Sequence, residues 1–328
     1  MNSIRALGLL SGGLDSALAA KLLLEQGIQV IGLHLESPTA CRTDARAVAR
    51  ELGIELVVRP KGEEYLRLLR HPRFGYGRNM NPCIDCRLFM FRLGRPYLEE
   101  FGAGFLFTGE VLGQRPMSQT REAMRLIDRQ SGMEGWILRP LSARLLPETE
   151  PERRGWVDRE RLLAITGRTR TEQLALARNW GLTSFQSPGG GCLLTDPLYA
   201  RKLRVLFERV PEETTTLRDI ELLRIGRHFY QDRGDRIVLG RNAEENRRLR
   251  DFEGDGRWLV EPLEFSGPTA LVCGPEEEES VDRAIELILR HGRPLVAPLT
   301  VRWRRGGEER HRVIEPPARP GINACSAP

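Results

Sequence analysis

The sequence lacks a long hydrophobic run and a start that resembles a leader. Its 328 residues contain no uninterrupted apolar stretch of about 18 residues, which is roughly the minimum that a transmembrane helix needs. The first residues show neither the basic start nor the cleavage site of a signal peptide. We therefore expect a cytoplasmic protein with no membrane partner.

Cysteine is scarce as well, with six residues in the whole chain. So few cysteines do not form a disulfide framework, and in a reducing compartment they act as thiols, metal ligands or catalysts. Positive charge is unevenly spread: residues 196–328 hold 23 basic and 24 acidic residues, whereas the first 195 hold 27 and 21. The surplus in the N-terminal part suits a polyanionic partner.

The residues that are present predict two domains, at 1–195 and 196–328. The boundary is placed at Asp196-Pro197 because a Gly/Pro-rich stretch, 187–191, precedes it and the residue pattern then changes. In the first part, apolar strand candidates alternate with helical periodicity, which predicts an α/β fold with a parallel sheet and helices on both faces. The second part predicts a smaller α+β domain, with a helix after Asn242 and a hairpin at Gly306-Gly307.

Several element positions follow from the same patterns. The strand candidates of the first part are Ile4–Leu10, Ile28–Leu35, Ile54–Arg59, Gly104–Thr108 and Trp136–Leu138. The helix candidates are Ala17–Leu24, Thr43–Leu52, Arg87–Phe101, Ser118–Gln130, Asp158–Thr166 and Thr171–Trp180. Ligands of such sheets bind beyond the carboxyl ends of the strands, so the loops after Leu10, Leu35 and Thr108 are expected to line one site.

The first strand candidate leads into Ser11-Gly12-Gly13-Leu14-Asp15-Ser16, a glycine-rich turn at the start of a helix. Backbone N–H groups and the two serine hydroxyls can surround a phosphate there. The turn lacks the Lys-Ser/Thr ending of a Walker loop and does not fit a dinucleotide fingerprint. An aspartate beside phosphate suggests a Mg²⁺ ion between them, because the two negative charges otherwise repel.

Three cysteines form a second candidate site. Cys83 and Cys86 make a C-x-x-C motif, and Cys192 follows the triple glycine 189–191. Such a set suits a [4Fe–4S] cluster with one open iron, or a persulfide carrier Cys83 with Cys192 as its resolving partner. A zinc site or unrelated buried thiols are the remaining alternatives. Asp85, between the first two cysteines, is either a general acid or base or a solvated carboxylate.

The glycine-rich turn resembles the PP-loop, S-G-G-x-D-S, of the ATP pyrophosphatase superfamily, which implies an adenine-nucleotide α-hydrolase-like fold and cleavage of ATP between its α- and β-phosphates. The order of motifs at 108–114, 118–120 and 137–141 is similar to the tRNA 4-thiouridine synthases. Asn81-Pro82-Cys83 resembles the tRNA 2-thiouridylases, and the three cysteines resemble the cluster-dependent members. The resemblance covers about residues 1–195.

This resemblance implies a set of site residues. ATP with Mg²⁺ is expected to contact the residues Ser11, Gly12, Gly13, Asp15, Ser16, His34, Gly109 and Gln114. Cys83, Cys86 and Cys192 are the expected ligands of a [4Fe–4S] cluster, and Cys83, Cys192 and Asp85 the expected catalytic residues.

Two features depart from the synthases or add to them. Arg115-Pro116-Met117 replaces the small residues usual at this point, and with the PP-loop at residue 11 we expect no RNA-binding THUMP domain before it. In the second part, the string 240–246, G-R-N-A-E-E-N, resembles the RNA-binding domain of NFACT proteins. Arginines of the predicted hairpin, such as Arg302 and Arg304, add a face for phosphates, whereas Trp303 is expected in the core.

The sequence thus predicts an ATP-dependent tRNA uridine thiolase that forms AMP and pyrophosphate. Its partners are tRNA and a sulfur donor, which is inorganic sulfide for the cluster route or a cysteine desulfurase for the persulfide route. A homodimer is compatible with the sequence. The alternatives are a PP-loop enzyme that adenylates a small molecule and a non-catalytic RNA-binding protein.

Overall fold

The computed structural model describes residues 4–40, 44–185, 192–231, 235–274, 278–292 and 299–314. Two compact units make up the chain, Met1–Ala200 and Arg201–Pro328. Among the described residues, no helix has the length and apolar character needed to cross a bilayer. The glycine stretch 187–191, which motivated the predicted boundary, lies outside the described residues.

The first unit alternates strands and helices from its start. Its strands are β1 (Arg5–Leu9), β2 (Gln29–Glu36), β3 (Glu55–Pro60), β4 (Phe105–Thr108) and β5 (Ile137–Leu138). Its helices are α1 (Leu14–Leu24), α2 (Ala45–Leu52), α3 (Glu64–Arg70), α4 (Cys83–Glu100), α5 (Arg121–Ser131), α6 (Glu150–Arg153) and α7 (Thr171–Asn179). The predicted α/β architecture is confirmed.

The five strands form one parallel sheet in the order β3-β2-β1-β4-β5, with β1 at its centre. Alternate residues of the central strands enter two different cores, as the period of two requires. Ala6 and Phe105 pack with helix α1 and helix α7 on one face. Leu7 and Leu106 pack with α4 and α5 on the other. Both faces are therefore covered, and ligands have access at the strand ends.

The predicted helix Asp158–Thr166 is wrong, because only a single turn at Arg159–Arg161 forms there. The backbone of the residues that follow this turn forms hydrogen bonds with a segment that is distant in sequence, and not within a helix. The N–H groups of Leu163 and Ile165 donate to the carbonyls of Pro140 and Leu141 at 3.0 and 2.8 Å. These tertiary hydrogen bonds outweigh local helix propensity.

A helix, α8 (Pro197–Arg209), leads into the second unit, whose elements are α9 (Leu217–Leu222), β6 (Arg227–Tyr230), β7 (Arg236–Leu239), α10 (Ala243–Arg250), β8 (Arg257–Pro262), β9 (Ala270–Cys273), α11 (Glu278–His291), β10 (Leu299–Arg305) and β11 (Glu308–Ile314). The strands form an antiparallel sheet in the order β11-β10-β8-β9-β7-β6. Helix α11 packs on one face, and the other face covers Leu249 of α10. The predicted α+β domain is confirmed.

Candidate active site

The predicted nucleotide loop connects β1 to α1 and is held by its own serines. Ser16 Oγ donates to the carbonyl of Gly13 at 2.9 Å, and the N–H of Ser11 donates to Ser16 Oγ at 3.3 Å. Gly13 is the N-cap of α1 and has no side chain to accept from the first N–H groups of the helix. Such N–H groups at a helix N-terminus are the usual donors to a phosphate.

Two glycines shape the loop by allowing close approach. Gly12 has a φ of 77°, and a Cβ at this position would lie 2.7 Å from the backbone nitrogen of Ala45. Gly109, directly after β4, approaches the loop from the other side. A Cβ at Gly109 would lie 2.4 Å from the backbone of both Asp15 and Ser16. Only glycine fits between these backbones without displacing one of them.

A cavity of about 300 Å³ adjoins the loop at the carboxyl ends of the strands. Six of the predicted nucleotide contacts line it, namely Ser11, Gly13, Asp15, Ser16, His34 and Gly109. The same cavity is lined by all three predicted cysteine ligands, Cys83, Cys86 and Cys192. The structure therefore brings the loop together with cysteines that are distant in sequence, since Cys83 and Cys192 follow Ser16 by 67 and 176 positions.

Gln114, predicted to contact the nucleotide, bonds to Asp15 of the loop. Its Nε2 donates to Asp15 Oδ2 at 2.8 Å, and Arg170 Nη2 lies 3.7 Å from the same oxygen. The other oxygen, Asp15 Oδ1, is buried and has no hydrogen-bond partner among the described residues. A buried carboxylate oxygen in this state favours a cation or a donor from a bound ligand.

His34 reaches the cavity from β2. Its Nδ1 lies 2.8 Å from the carbonyl oxygen of Leu10, the residue directly before the loop. This hydrogen bond fixes the ring at the cavity wall and joins the ends of two neighbouring strands.

The cysteines enter the cavity from two segments. Cys83 and Cys86 occupy the first turn of α4, and Cys192 precedes a short turn at Leu193–Thr195. Cys86 Sγ lies 3.4 Å from Lys61 Nζ, and Cys192 Sγ lies 3.5 Å from the carbonyl oxygen of Thr39. The residue after Cys192 is held as well, since the N–H of Leu193 donates to the same carbonyl at 3.1 Å.

Burial controls the charge of two of these thiols. It raises the pKa of Cys192 to about 11, and the negative charge of a nearby Cys86 thiolate would add to the effect. Burial also raises the pKa of Cys83, although the positive charges of Arg115 and Arg87 oppose the rise. Both thiols are therefore protonated near neutral pH until a metal or another cation stabilises the thiolate.

The donor geometry bears on the zinc alternative. Within the described part of the chain, no three His, Cys, Asp or Glu side chains are grouped so as to hold one metal ion. A zinc ion binds its ligands around a single point, whereas an iron–sulfur cluster spreads its thiolates over separate iron atoms.

Asp85 differs from both interpretations made from the sequence. It is 6% exposed, which excludes a solvated carboxylate. Its two oxygens accept the backbone N–H groups of Arg73 and Phe74, each at 3.0 Å. A carboxylate committed to two N–H donors is poorly placed for proton transfer, so we assign Asp85 a structural role: it holds the segment before α4 in place.

The sequence patterns did not reveal the cationic side chains of the cavity, which are Lys61, Arg87, Arg115 and Arg170. They also missed the buried network beneath these side chains, in which Glu110 lies 3.0 Å from Arg139 and Arg139 forms a bidentate pair with Asp128. Arg87 Nε is 3.3 Å from Glu110. Only Arg115, as a departure from the family pattern, carried a local signal.

In the second unit, the G-R-N-A-E-E-N string forms a closed set of hydrogen bonds. Asn242 caps α10 by accepting the N–H of Glu245 at 2.9 Å. Glu245 Oε2 in turn accepts the N–H groups of Arg241 and Gly226 at 2.9 and 3.2 Å. Asn246 Oδ1 accepts the N–H of Thr269 at 3.1 Å. These side chains stabilise the turn between β7 and α10.

The hairpin arginines are also engaged within the unit. Arg302 lies 3.1 Å from Glu261, and Arg304 lies 3.1 Å from Glu253. Trp303, on the opposite side of β10, is 7% exposed and belongs to the core, as predicted. The arginine face is therefore already neutralised in large part by carboxylates.

Comparison with known proteins gives matches to both units. Residues 2–144 match the family model described as Thiamine biosynthesis protein (ThiI), and residues 226–318 match the NFACT protein RNA binding domain. These matches confirm the two resemblances predicted from the sequence.

Individual relatives match part of the chain. A "Probable tRNA sulfurtransferase" of Thermococcus kodakarensis is 30% identical over 42% of this chain and 36% of the relative. A "tRNA-specific 2-thiouridylase MnmA" of Proteus mirabilis is 33% identical over 36% of this chain and 37% of the relative. The matches to these two relatives thus span about a third of their length. A solved "4-thiouridine synthetase - RNA complex with bound ATP" is 24% identical, with a TM-score of 0.39, over 66% of this chain and 52% of that one.

Proposed function

We propose that this chain is an ATP-dependent tRNA sulfurtransferase that replaces a carbonyl oxygen of a uridine by sulfur. The observation that carries the proposal is the cavity of the first unit, which is lined both by the loop Ser11–Ser16 and by Cys83, Cys86 and Cys192. The ThiI match at residues 2–144 includes the loop and the C-x-x-C motif. The names of the two relatives indicate tRNA thiolation as the reaction.

The first step activates the carbonyl oxygen, which is otherwise a poor leaving group. The oxygen attacks the α-phosphorus of ATP, an O–P bond forms, and the bond to pyrophosphate breaks with its electron pair on pyrophosphate. The N-terminus of α1 with Ser11 and Ser16 holds the departing pyrophosphate. Asp15 Oδ1, which has no hydrogen-bond partner in the described part of the chain, fits Mg²⁺, and this ion when bound would offset the charge of the phosphates.

The second step brings sulfur to the activated carbon and releases AMP. The three half-buried thiols fit a [4Fe–4S] cluster, because they share a cavity with Lys61 and three arginines that offset the charge of three thiolates. When bound, such a cluster supplies a site that carries sulfide next to the adenylated base. The protein's own part is to hold the base between the loop and the thiols and to exclude water there.

The second unit is the proposed RNA-binding part, since residues 226–318 match an RNA-binding domain. Its arginine-rich hairpin is largely paired with carboxylates, so we propose a moderate contribution of this face to the salt dependence of RNA binding.

The test combines metal analysis with labelled sulfur. Protein purified without oxygen is assayed for iron, acid-labile sulfide and a visible spectrum, and then given tRNA, ATP and ³⁵S-sulfide. We expect about four iron atoms per chain, pyrophosphate release, and ³⁵S in tRNA. Alanine variants of Cys83, Cys86 and Cys192 should lose the iron and the ³⁵S transfer, whereas Cys273→Ala, in the second unit, should keep both.

Other outcomes identify the alternatives. Iron-free protein that transfers sulfur from a cysteine desulfurase would replace the cluster by the persulfide route. Amidation of a small molecule without sulfur in tRNA would refute thiolation and identify a different adenylating enzyme. RNA binding without ATP turnover would identify a non-catalytic protein.

A further inference from the structure

Three arginines line the cavity, and one of them, Arg115, has no acidic partner in the part of the chain that the structure describes. Arg87 lies 3.3 Å from Glu110, and Arg170 lies 3.7 Å from Asp15. Arg115 makes no ion pair within 4.0 Å among the residues that the structure describes, although it is half-buried and lines the same cavity. A partly desolvated guanidinium beside two other guanidiniums is costly unless an anion is present.

The loop that carries Arg115 is held before any ligand binds. The N–H of Gln119 donates to the carbonyl of Arg115 at 3.0 Å, and the N–H of Gly113 donates to the carbonyl of Gln119 at 2.7 Å. Gln114, the preceding residue, bonds to Asp15 of the nucleotide loop. The backbone position of the guanidinium is therefore fixed relative to the loop that binds the phosphates.

Arg115 lines the same cavity as the nucleotide loop and the three cysteines. Its charge acts on Arg170, which pairs with Asp15 of the loop, and also on Cys83 and Cys192. In the proposed reaction the α-phosphate links the adenosine to the uridine. This phosphate is therefore the anion that must lie between the nucleotide loop and the thiols.

We propose that Arg115 binds the α-phosphate of the nucleotide, and of the adenylated uridine formed from it. This inference rests on the proposed function of the cavity. A guanidinium can make two parallel hydrogen bonds to phosphate oxygens. When sulfide forms its bond to the activated carbon, the C–O bond breaks and its electron pair goes to the phosphate of AMP. Arg115 offsets the charge that develops on this phosphate.

The experiment measures the contribution of a single phosphate to binding. Adenosine and AMP are titrated by calorimetry into the full-length chain, its Arg115→Met and Arg115→Lys variants, and an Arg125→Met control. Arg125 is an exposed arginine on α5. We expect Arg115→Met to weaken AMP about 10- to 100-fold, the range for a hydrogen bond to a charged group. Adenosine should change less than about twofold, Arg115→Lys should keep part of the AMP affinity, and Arg125→Met should bind like the unaltered chain.

Each other result counts against the assignment. Equal AMP affinity in Arg115→Met and the unaltered chain would overturn it, and a loss confined to tRNA binding would assign Arg115 to an RNA phosphate instead. If Arg115→Met does not fold, the same comparison is made with Arg115→Lys, where an unchanged ratio of AMP to adenosine affinity refutes the proposal. Failure of the unaltered chain to bind ATP or AMP would refute the proposed function itself, a result distinct from the loss of Arg115's role alone.

Discussion

Gly109 lies close to the backbone of the nucleotide loop, and adding a methyl group there tests the site directly. In Gly109→Ala the new Cβ would lie 2.4 Å from the backbone of Asp15 and Ser16. Both neighbours are main-chain atoms, which cannot turn aside as a flexible side chain can. Overpacking of this kind costs about 1–3 kcal/mol. We expect the relief of the clash to displace the loop and weaken ATP binding.

Thermal unfolding with and without Mg·ATP measures both effects. For a domain of about 200 residues, each kcal/mol lowers the midpoint by about 2–4 °C, so Gly109→Ala should unfold several degrees lower and show a smaller stabilisation by ATP. Gly13→Ala is the steric control, since its Cβ would meet only Ser11 Oγ at 3.4 Å. A Gly109→Ala variant with unchanged midpoint and unchanged ATP response would refute the tight packing of β4 against the loop.

Three other groups give further expected outcomes, namely the thiol of Cys192, the guanidinium of Arg139 and the ring of His228. Burial raises the pKa of Cys192 to about 11. Iodoacetamide at pH 8 should therefore label this thiol about 100-fold more slowly than the cysteine of an unstructured peptide. A labelling rate within tenfold of that of the peptide would contradict this. Arg139→Met removes the guanidinium that pairs with buried Glu110 and half-buried Asp128, so it should cost about 3–5 kcal/mol in urea unfolding. Exposed Arg153→Met should cost under about 1 kcal/mol. Burial of its ring lowers the pKa of His228, so the folded form stays neutral while the unfolded chain takes up a proton below pH of about 6.5. Unfolding free energy should therefore fall as pH drops below that value, and His228→Phe should flatten the decline; an equal slope in both proteins would be the opposing result.

The first unit was largely predictable because its strands and its loop carry local patterns. Apolar runs at the centre of a parallel sheet are buried on both faces, so β1, β2 and β4 are visible as short continuous stretches. Ser11–Ser16 was predictable because phosphate binding at a helix start needs particular residues in a short span. The rule that strand ends share one edge predicted that the loops after Leu10, Leu35 and Thr108 line one site, but it did not place the cysteines there.

The second unit was harder to predict because several of its strands carry charged residues into the interior. Arg236 in β7 and Arg257 in β8 are 1% and 5% exposed, and both pair with Asp219 of α9. Hydrophobic periodicity does not detect a strand whose buried position is an arginine. Such a pair is recognisable only when the carboxylate partner, distant in sequence, is known. The strand β8, in which Arg257 and Glu261 are buried, was missed for this kind of reason.

The segment Arg115-Pro116-Met117 shows how a departure from a family pattern can be informative. Met117 packs against Gly77, where a Cβ would lie 1.6 Å from the methionine sulfur, so the larger side chain has its space only because residue 77 is glycine. Two residues earlier, Arg115 lines the cavity. A neutral substitution would not be expected both to fit Met117 against Gly77 and to place the cation of Arg115 in the cavity. The two features together indicate that the residues of this loop are adapted to each other. A Gly77→Ala variant should therefore displace Met117 and weaken AMP binding through Arg115. Calorimetric titration with AMP and adenosine would measure this effect.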